Sequence, residues 1–141
     1  DDPEFKAWPP HCVVGTTGQQ KPAATLLERR RVIANLANGA EPVDFEGTQQ
    51  FLLEKQTLDC FATVNLAKVL ARLGAERYVV YGVTTDNCVK FAVEGLLKTG
   101  KRIELVTDAV RGLDASAAAE MTTSFLAAGG ALTTVSAATR G

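Results

Sequence analysis

The sequence predicts an α/β fold, three layers α-β-α around a mostly parallel, doubly wound sheet, and three observations carry that expectation. From residue 57 onward one pattern occurs three times: an amphipathic helical stretch, a glycine, then a short run rich in β-branched residues. The first of those runs, Tyr78-Val79-Val80-Tyr81-Gly82-Val83, is apolar on both faces, as suits a central parallel strand covered from each side. The length of 141 residues fits a single domain, 1–141, long enough to bury a core.

In chain order, Trp8-Pro9-Pro10-His11-Cys12-Val13-Val14-Gly15-Thr16 comes first, and its prolines and glycine place the tryptophan and the only histidine on an irregular loop. Residues 25–36 read as a helix with Arg29, Arg30 and Arg31 on or near its solvated side, and residues 51–55, Phe-Leu-Leu-Glu-Lys, as a strand. Ala62, Leu66, Val69, Leu70 and Leu73 share one helical face that stops at Gly74. After the apolar strand, a helix opening at Cys88 turns Val89, Ala92, Val93 and Leu96 inward, stops at Gly100 and leads to a strand at 103–107. Asp114 then caps a third helix with the stripe Ala118, Met121, Phe125 and Ala128, closed by Gly129-Gly130 and followed by an edge strand at 132–135. Four strands are few for a doubly wound sheet, and the only methionine is Met121, so an opening N-terminal strand is expected to be missing from this chain.

Composition narrows the function. With 46% hydrophobic and 22% charged residues the chain reads as globular and not disordered, and a net charge of −1 offers no footprint for nucleic acid or an acidic membrane. The longest uncharged run, 121–139, is broken by Gly129, Gly130 and many Ser and Thr and does not read as a membrane span. Cys12, Cys60 and Cys88 are too few and too scattered for a disulfide framework or a four-thiolate zinc site. A reducing, cytoplasmic setting and a small-molecule partner are therefore expected, and the small residues of the third helix suit self-association into a homo-oligomer.

Gly95-Leu96-Leu97-Lys98-Thr99-Gly100-Lys101 matches most of a phosphate-binding loop, but it closes a helix and precedes a strand, the reverse of the required order. Cys88 is more informative. It follows a strand by the short turn Thr84-Thr85-Asp86-Asn87 and opens a helix, where unpaired amides and the helix dipole stabilise a thiolate. The alternative is a buried structural cysteine. Lys55, at the C-terminal end of its own strand, falls on the same sheet edge, where it would stabilise the thiolate and a developing oxyanion, or else pair with Glu54 or Asp59 at the surface. His11 could be one metal ligand of several or a packing residue, and Trp8 could stack on a flat substrate or close over the core.

Trp8-Pro9-Pro10-His11-Cys12-Val13 with Gly15-Thr16, then Glu54-Lys55, then Gly82-Val83-Thr84-Thr85-Asp86-Asn87-Cys88-Val89, in that order, resemble the nicotinamidase and isochorismatase-like cysteine hydrolases. The resemblance extends from the Asp1 to Phe5 stretch to Val106-Thr107-Asp108-Ala109. It implies an amidohydrolase working through an Asp, Lys and Cys triad, with Lys55 and Cys88 as the second and third members. It also implies a cis peptide between Val83 and Thr84 that turns the Thr84 amide toward an oxyanion, a substrate-packing role for Trp8, and a divalent metal, zinc or similar, on His11. Asp108 falls at a family position and reads as structural. The triad Asp and the other metal ligands have no counterpart here, since neither Asp44 nor Asp59 lies in the right motif. Hydrolysis of nicotinamide, or of another amide or ureide, is the enzymatic expectation; a non-catalytic binding protein is the rival. Isochorismate cleavage needs no cysteine nucleophile and fits less well.

Overall fold

The structure, a computed structural model, describes residues 3–6, 8–36 and 45–140; Asp1, Asp2 and Asp44 lie outside them. The described residues form three layers, α/β/α, around parallel strands. Among the described residues five strands and four α-helices follow in this order, alternating from β2 onward: β1 (Arg30–Ile33), β2 (Gln50–Leu53), α1 (Leu66–Leu73), β3 (Arg77–Val83), α2 (Lys90–Leu97), β4 (Arg102–Arg111), α3 (Ala115–Ala127), β5 (Ala131–Thr133) and α4 (Val135–Ala138). Among the described residues every strand pair is parallel, β1 with β2 and β3-β4-β5 in a second group. No described helix is long and apolar enough to cross a membrane.

The three helix-glycine-strand units are present. Gly74 ends α1 in the left-handed conformation, φ 59°, which a residue with a Cβ adopts only at a cost. Gly100, at φ 71°, turns the chain from α2 into β4, so the phosphate-loop look-alike does close a helix. Asp114 caps α3, its side chain accepting from Ala117 N at 2.8 Å. Asp108 is a cap as well, its Oδ1 accepting from Val135 N at the start of α4 at 2.9 Å. The core gathers Val89, Val93, Leu96, Ile103, Leu105, Met121 and Phe125, with Phe61, Leu70, Tyr78 and Val80 packed against it. Gly95 lets α2 approach Phe61, since a Cβ there would come within 2.1 Å of the ring.

Three expectations need correction. Residues 25–36 are not a helix: a 3-10 turn, Ala23–Thr25, leads into strand β1, whose Arg30 to Ile33 pair in register with Gln50 to Leu53. Pairing with β2 decides the conformation of this short segment over its local helical pattern. Cys60, which the helical reading of the segment from residue 57 would place inside a helix, lies instead on a 3-10 turn, Cys60–Ala62; Asp59 caps that turn by accepting from Phe61 N at 2.8 Å. Finally, β3 is covered on one face only. Tyr78 and Val80 face the core, while Val79, Tyr81 and Val83 alternate with them and are exposed, Tyr81 at 72%. β3 pairs only with β4 among the described strands, so it is an edge and not a central strand here.

Glu104 is buried, 3% exposed, with Arg77 Nη2 at 2.7 Å and Arg102 Nε at 2.6 Å. The hydrogen bond from Arg77, against the opposing effect of burial, holds its carboxyl below the usual glutamate range, with Arg102 adding to the effect. A depressed carboxylate stabilises the fold at pH values above the unfolded pKa of about 4.3, and that contribution is lost as pH falls through the folded value. Glu104→Gln is therefore expected to lower the melting temperature at pH 7 and to flatten its decline below about pH 4.3. Thermal unfolding followed by circular dichroism from pH 3 to 8 checks this; parallel curves for the two proteins would refute it.

Candidate active site

Two loops, one following β2 and one following β3, meet at the C-terminal ends of their strands. Lys55 stands two residues beyond β2, and its Nζ donates to Thr57 O at 2.8 Å and lies 3.6 Å from Cys88 Sγ. Lysine and cysteine are thus in contact across 33 residues of sequence. The bland alternative for Lys55, a pairing with Glu54 or Asp59, is not what its ammonium does: Glu54 Oε1 accepts from Gln19 Nε2 at 3.2 Å, and Asp59 Oδ1 is used on Phe61 N. The ammonium sits between the Thr57 carbonyl and the Cys88 sulfur.

Cys88 sits in a π-helical turn, Thr85–Val89, that runs directly into α2. Such wide turns leave helix-start amides in unusual positions and recur at functional sites. Thr84 anchors this one: its carbonyl accepts from Asn87 N and Val89 N, both at 3.1 Å, and its Oγ1 accepts from Asn87 Nδ2 at 3.1 Å. The Val83–Thr84 peptide just before it is cis. Val89, adjacent to Cys88, is buried in the main core, which fixes the base of the turn while Cys88 itself remains half-buried.

A β-bulge shapes the far wall. Val80 pairs with Leu105 but Gly82 pairs with Val110, so β4 carries extra residues and Val83 comes to stand opposite Arg111. Beyond Arg111 the chain turns at Gly112 to Asp114, and the Asp86 carboxylate accepts from the backbone of both Leu113 and Asp114. Those amides, Asp114 first, hold the Asp86 carboxyl below the ordinary aspartate range, against a partial opposing effect of desolvation. Sequence reasoning gave Asp86 no role; its signal was an acid placed two residues before the cysteine in a helix-opening turn.

Cys60 has a different environment. Burial, then the neighbouring Asp59 charge, pushes its thiol up, which keeps it protonated. Cys12 is exposed on the loop with φ 49°. Among the three free cysteines, Cys88 is the one whose sulfur lies against the Lys55 ammonium.

Trp8 and His11 lie on the irregular loop, as expected, with Trp8 48% exposed. Trp8 N donates to Glu4 O at 3.0 Å; the His11 ring meets Phe5 edge-on and its Nδ1 donates to Pro9 O at 2.8 Å. The loop is joined to the lysine's strand end by the Gln19 to Glu54 hydrogen bond. His11 Nε2 is 3.9 Å from Glu4 Oε1, so one histidine and one carboxylate are near each other. Among the described residues no group of three or more His, Cys, Asp or Glu side chains could hold a metal ion. A zinc site takes three or four protein ligands, so these residues do not by themselves fit a metal.

Comparison with known proteins gives the class to which this fold belongs. Residues 6–137 match the isochorismatase domain model. The chain belongs to the isochorismatase and nicotinamidase-like hydrolase superfamily. It is 31% identical over 110 residues to the nicotinamidase of Escherichia coli strain K12, covering 76% of this chain and 47% of that one. A crystal structure of nicotinamidase from Bacillus subtilis superposes with a TM-score of 0.71 at 20% identity, over 93% of this chain and 66% of that one, and shows the shared fold. Pyrazinamidase of Pyrococcus horikoshii, in complex with zinc, gives 0.65 at 23% identity, over 90% and 63%. The chain spans about half the length of the curated relatives it matches, 47% and 56%.

Proposed function

We propose that this chain hydrolyses a small amide, nicotinamide or a close analogue, with Cys88 as nucleophile and Lys55 as its cation. The 3.6 Å contact between Lys55 Nζ and Cys88 Sγ is the observation that carries the reading. The sulfur attacks the amide carbonyl and a C–S bond forms; the oxyanion is met by the backbone amides of Thr84 and Cys88 at the turn. The C–N bond then breaks, the thiol's proton leaving with ammonia, and water cleaves the thioester to the carboxylic acid and the restored thiol. The proton carrier between thiol and leaving group is a carboxylate from outside the described residues, as the family's Asp, Lys and Cys triad implies. Trp8, half exposed on its loop, would offer a flat face to a pyridine ring. A divalent cation on His11 would need ligands from beyond the described residues, and no step is drawn through it.

The test is ammonia release from nicotinamide beside benzamide, a linear ureide and a peptide amide. Nicotinamide is expected to turn over fastest, with one ammonia per acid formed. Preference for the ureide would move the chain to a different substrate within the same chemistry. No release from any of them, together with a Cys88 that alkylates no faster than a free thiol, would replace the enzyme by a binding protein.

A further inference from the structure

We infer that Asp86 is a positioning residue: its carboxylate clamps the nucleophile turn to the loop that opens α3, and so holds Cys88 against Lys55. The inference rests on the amidase reading and adds to it a residue that acts through the turn and touches no substrate.

The geometry is a fork. Asp86 Oδ2 accepts from Asp114 N at 2.8 Å and from Leu113 N at 3.1 Å, and Oδ1 also lies 3.1 Å from Leu113 N. One carboxylate thereby receives two consecutive backbone amides from a segment 27 and 28 residues away. The receiving loop is itself rigid. Asp114 spends its own side chain on capping α3, and Met121 and Phe125 of that helix are buried in the core. Gly112 is small by necessity, because a Cβ there would lie 2.8 Å from Ala118 Cβ. At the other end, Thr84 binds Asn87 and Val89 within the turn. The turn is tied internally at Thr84 and externally at Asp86, with Cys88 between Asp86 and the buried Val89.

Charge and position make opposite predictions for this residue. A carboxylate two positions from a thiol repels the thiolate, so if Asp86 acted only through its charge, removing it would make Cys88 more reactive. If it acts as a clamp, removal loosens the turn, breaks the register between Cys88 and Lys55, and makes Cys88 less reactive despite the lost repulsion. The probe is iodoacetamide at pH 7, with the modified cysteine assigned by mass spectrometry of peptides. Asp86→Ala is expected to slow Cys88 alkylation by about tenfold, the scale of one lost ion contact. Asp86→Asn, which keeps one acceptor oxygen, is expected to fall between the two. Cys60, held by Phe61 packing and the Asp59 cap, serves as the control: its rate stays unchanged if only the turn has moved and rises if the whole fold has loosened.

Equal or faster Cys88 alkylation in Asp86→Ala would overturn the clamp while leaving the amidase reading intact. Should Asp86→Ala fail to fold, Asp86→Asn decides alone: slower than wild type supports the clamp, equal or faster rejects it. A wild-type Cys88 no more reactive than a free thiol rejects both, since a turn that activates nothing has nothing to position.

Discussion

Replacing Cys88 by alanine is expected to reduce ammonia release from nicotinamide by at least about 10⁴-fold, the scale seen when a covalent nucleophile is removed and only binding and oxyanion contacts remain. The loss should appear in kcat with little change in KM, because the sulfur makes its bond only as the reaction proceeds. The fold should tolerate the change: Cys88 is half-buried, whereas the residue that anchors this turn in the core is Val89. Cys60→Ala and Cys12→Ala are the matched controls. Neither thiol is in the Lys55 contact, so each variant should stay within about twofold of wild type, a fraction of one kcal/mol in the barrier. Retention of full turnover in Cys88→Ala would end the thioester mechanism, and an equal loss in Cys60→Ala would show that the nucleophile had been misassigned.

How far the sequence carried the reader toward that site depends on the kind of information each segment holds. The three helix-to-strand units between residues 66 and 133 were legible because each of α1, α2 and α3 has a stripe, a glycine stop and a following β-branched run, and each signal is local; the short helix α4, Val135–Ala138, has no such signal, and Val135 was expected in the edge strand. Gly74, Gly100 and Asp114 do in the fold what their residue types suggest. Residues 25–36 misled, because Arg30 to Ile33 become a strand only by pairing with Gln50 to Leu53, and no local pattern announces a partner that far along the chain. The same limit applies to β3: its apolar run is real, but which of its faces is covered depends on neighbours, and only Tyr78 and Val80 turn to the core.

The site shows the same division. Lys55 and Cys88 could each be placed beyond a strand's C-terminal end from local pattern, and in the fold those two ends meet. What pattern could not supply is the last few ångströms. The approach of the Lys55 ammonium to the Cys88 sulfur, the Gln19 to Glu54 link that ties the Trp8 loop to that strand, and the Asp86 fork are contacts between segments. None has a periodicity or a residue spacing to reveal it.

Lys55→Met tests the other half of the pair, and its expected effect follows from distance and exposure. Methionine keeps the length of the side chain and removes the charge. Two unit charges about 4 Å apart interact by roughly 1 kcal/mol in bulk water and about 4 kcal/mol at an effective dielectric constant of 20. With Lys55 exposed and Cys88 half-buried, the lower end of that range governs. Since about 1.4 kcal/mol is tenfold, alkylation of Cys88 by iodoacetamide at pH 7 should slow by roughly tenfold. Lys55→Arg, which keeps the charge on a different head group, should recover most of the rate. That second arm separates charge from access. A deficit that persists in Lys55→Arg would mean that Lys55 opens a path to the sulfur; equal rates in Lys55→Met and wild type would mean that the 3.6 Å contact does nothing for the thiolate. Neither measurement requires turnover, so the result bears on the nucleophile even in protein whose proton carrier is not engaged. Ammonia release should fall further than alkylation does, because the same ammonium also faces the oxyanion that forms beside the sulfur, a charge that iodoacetamide never generates.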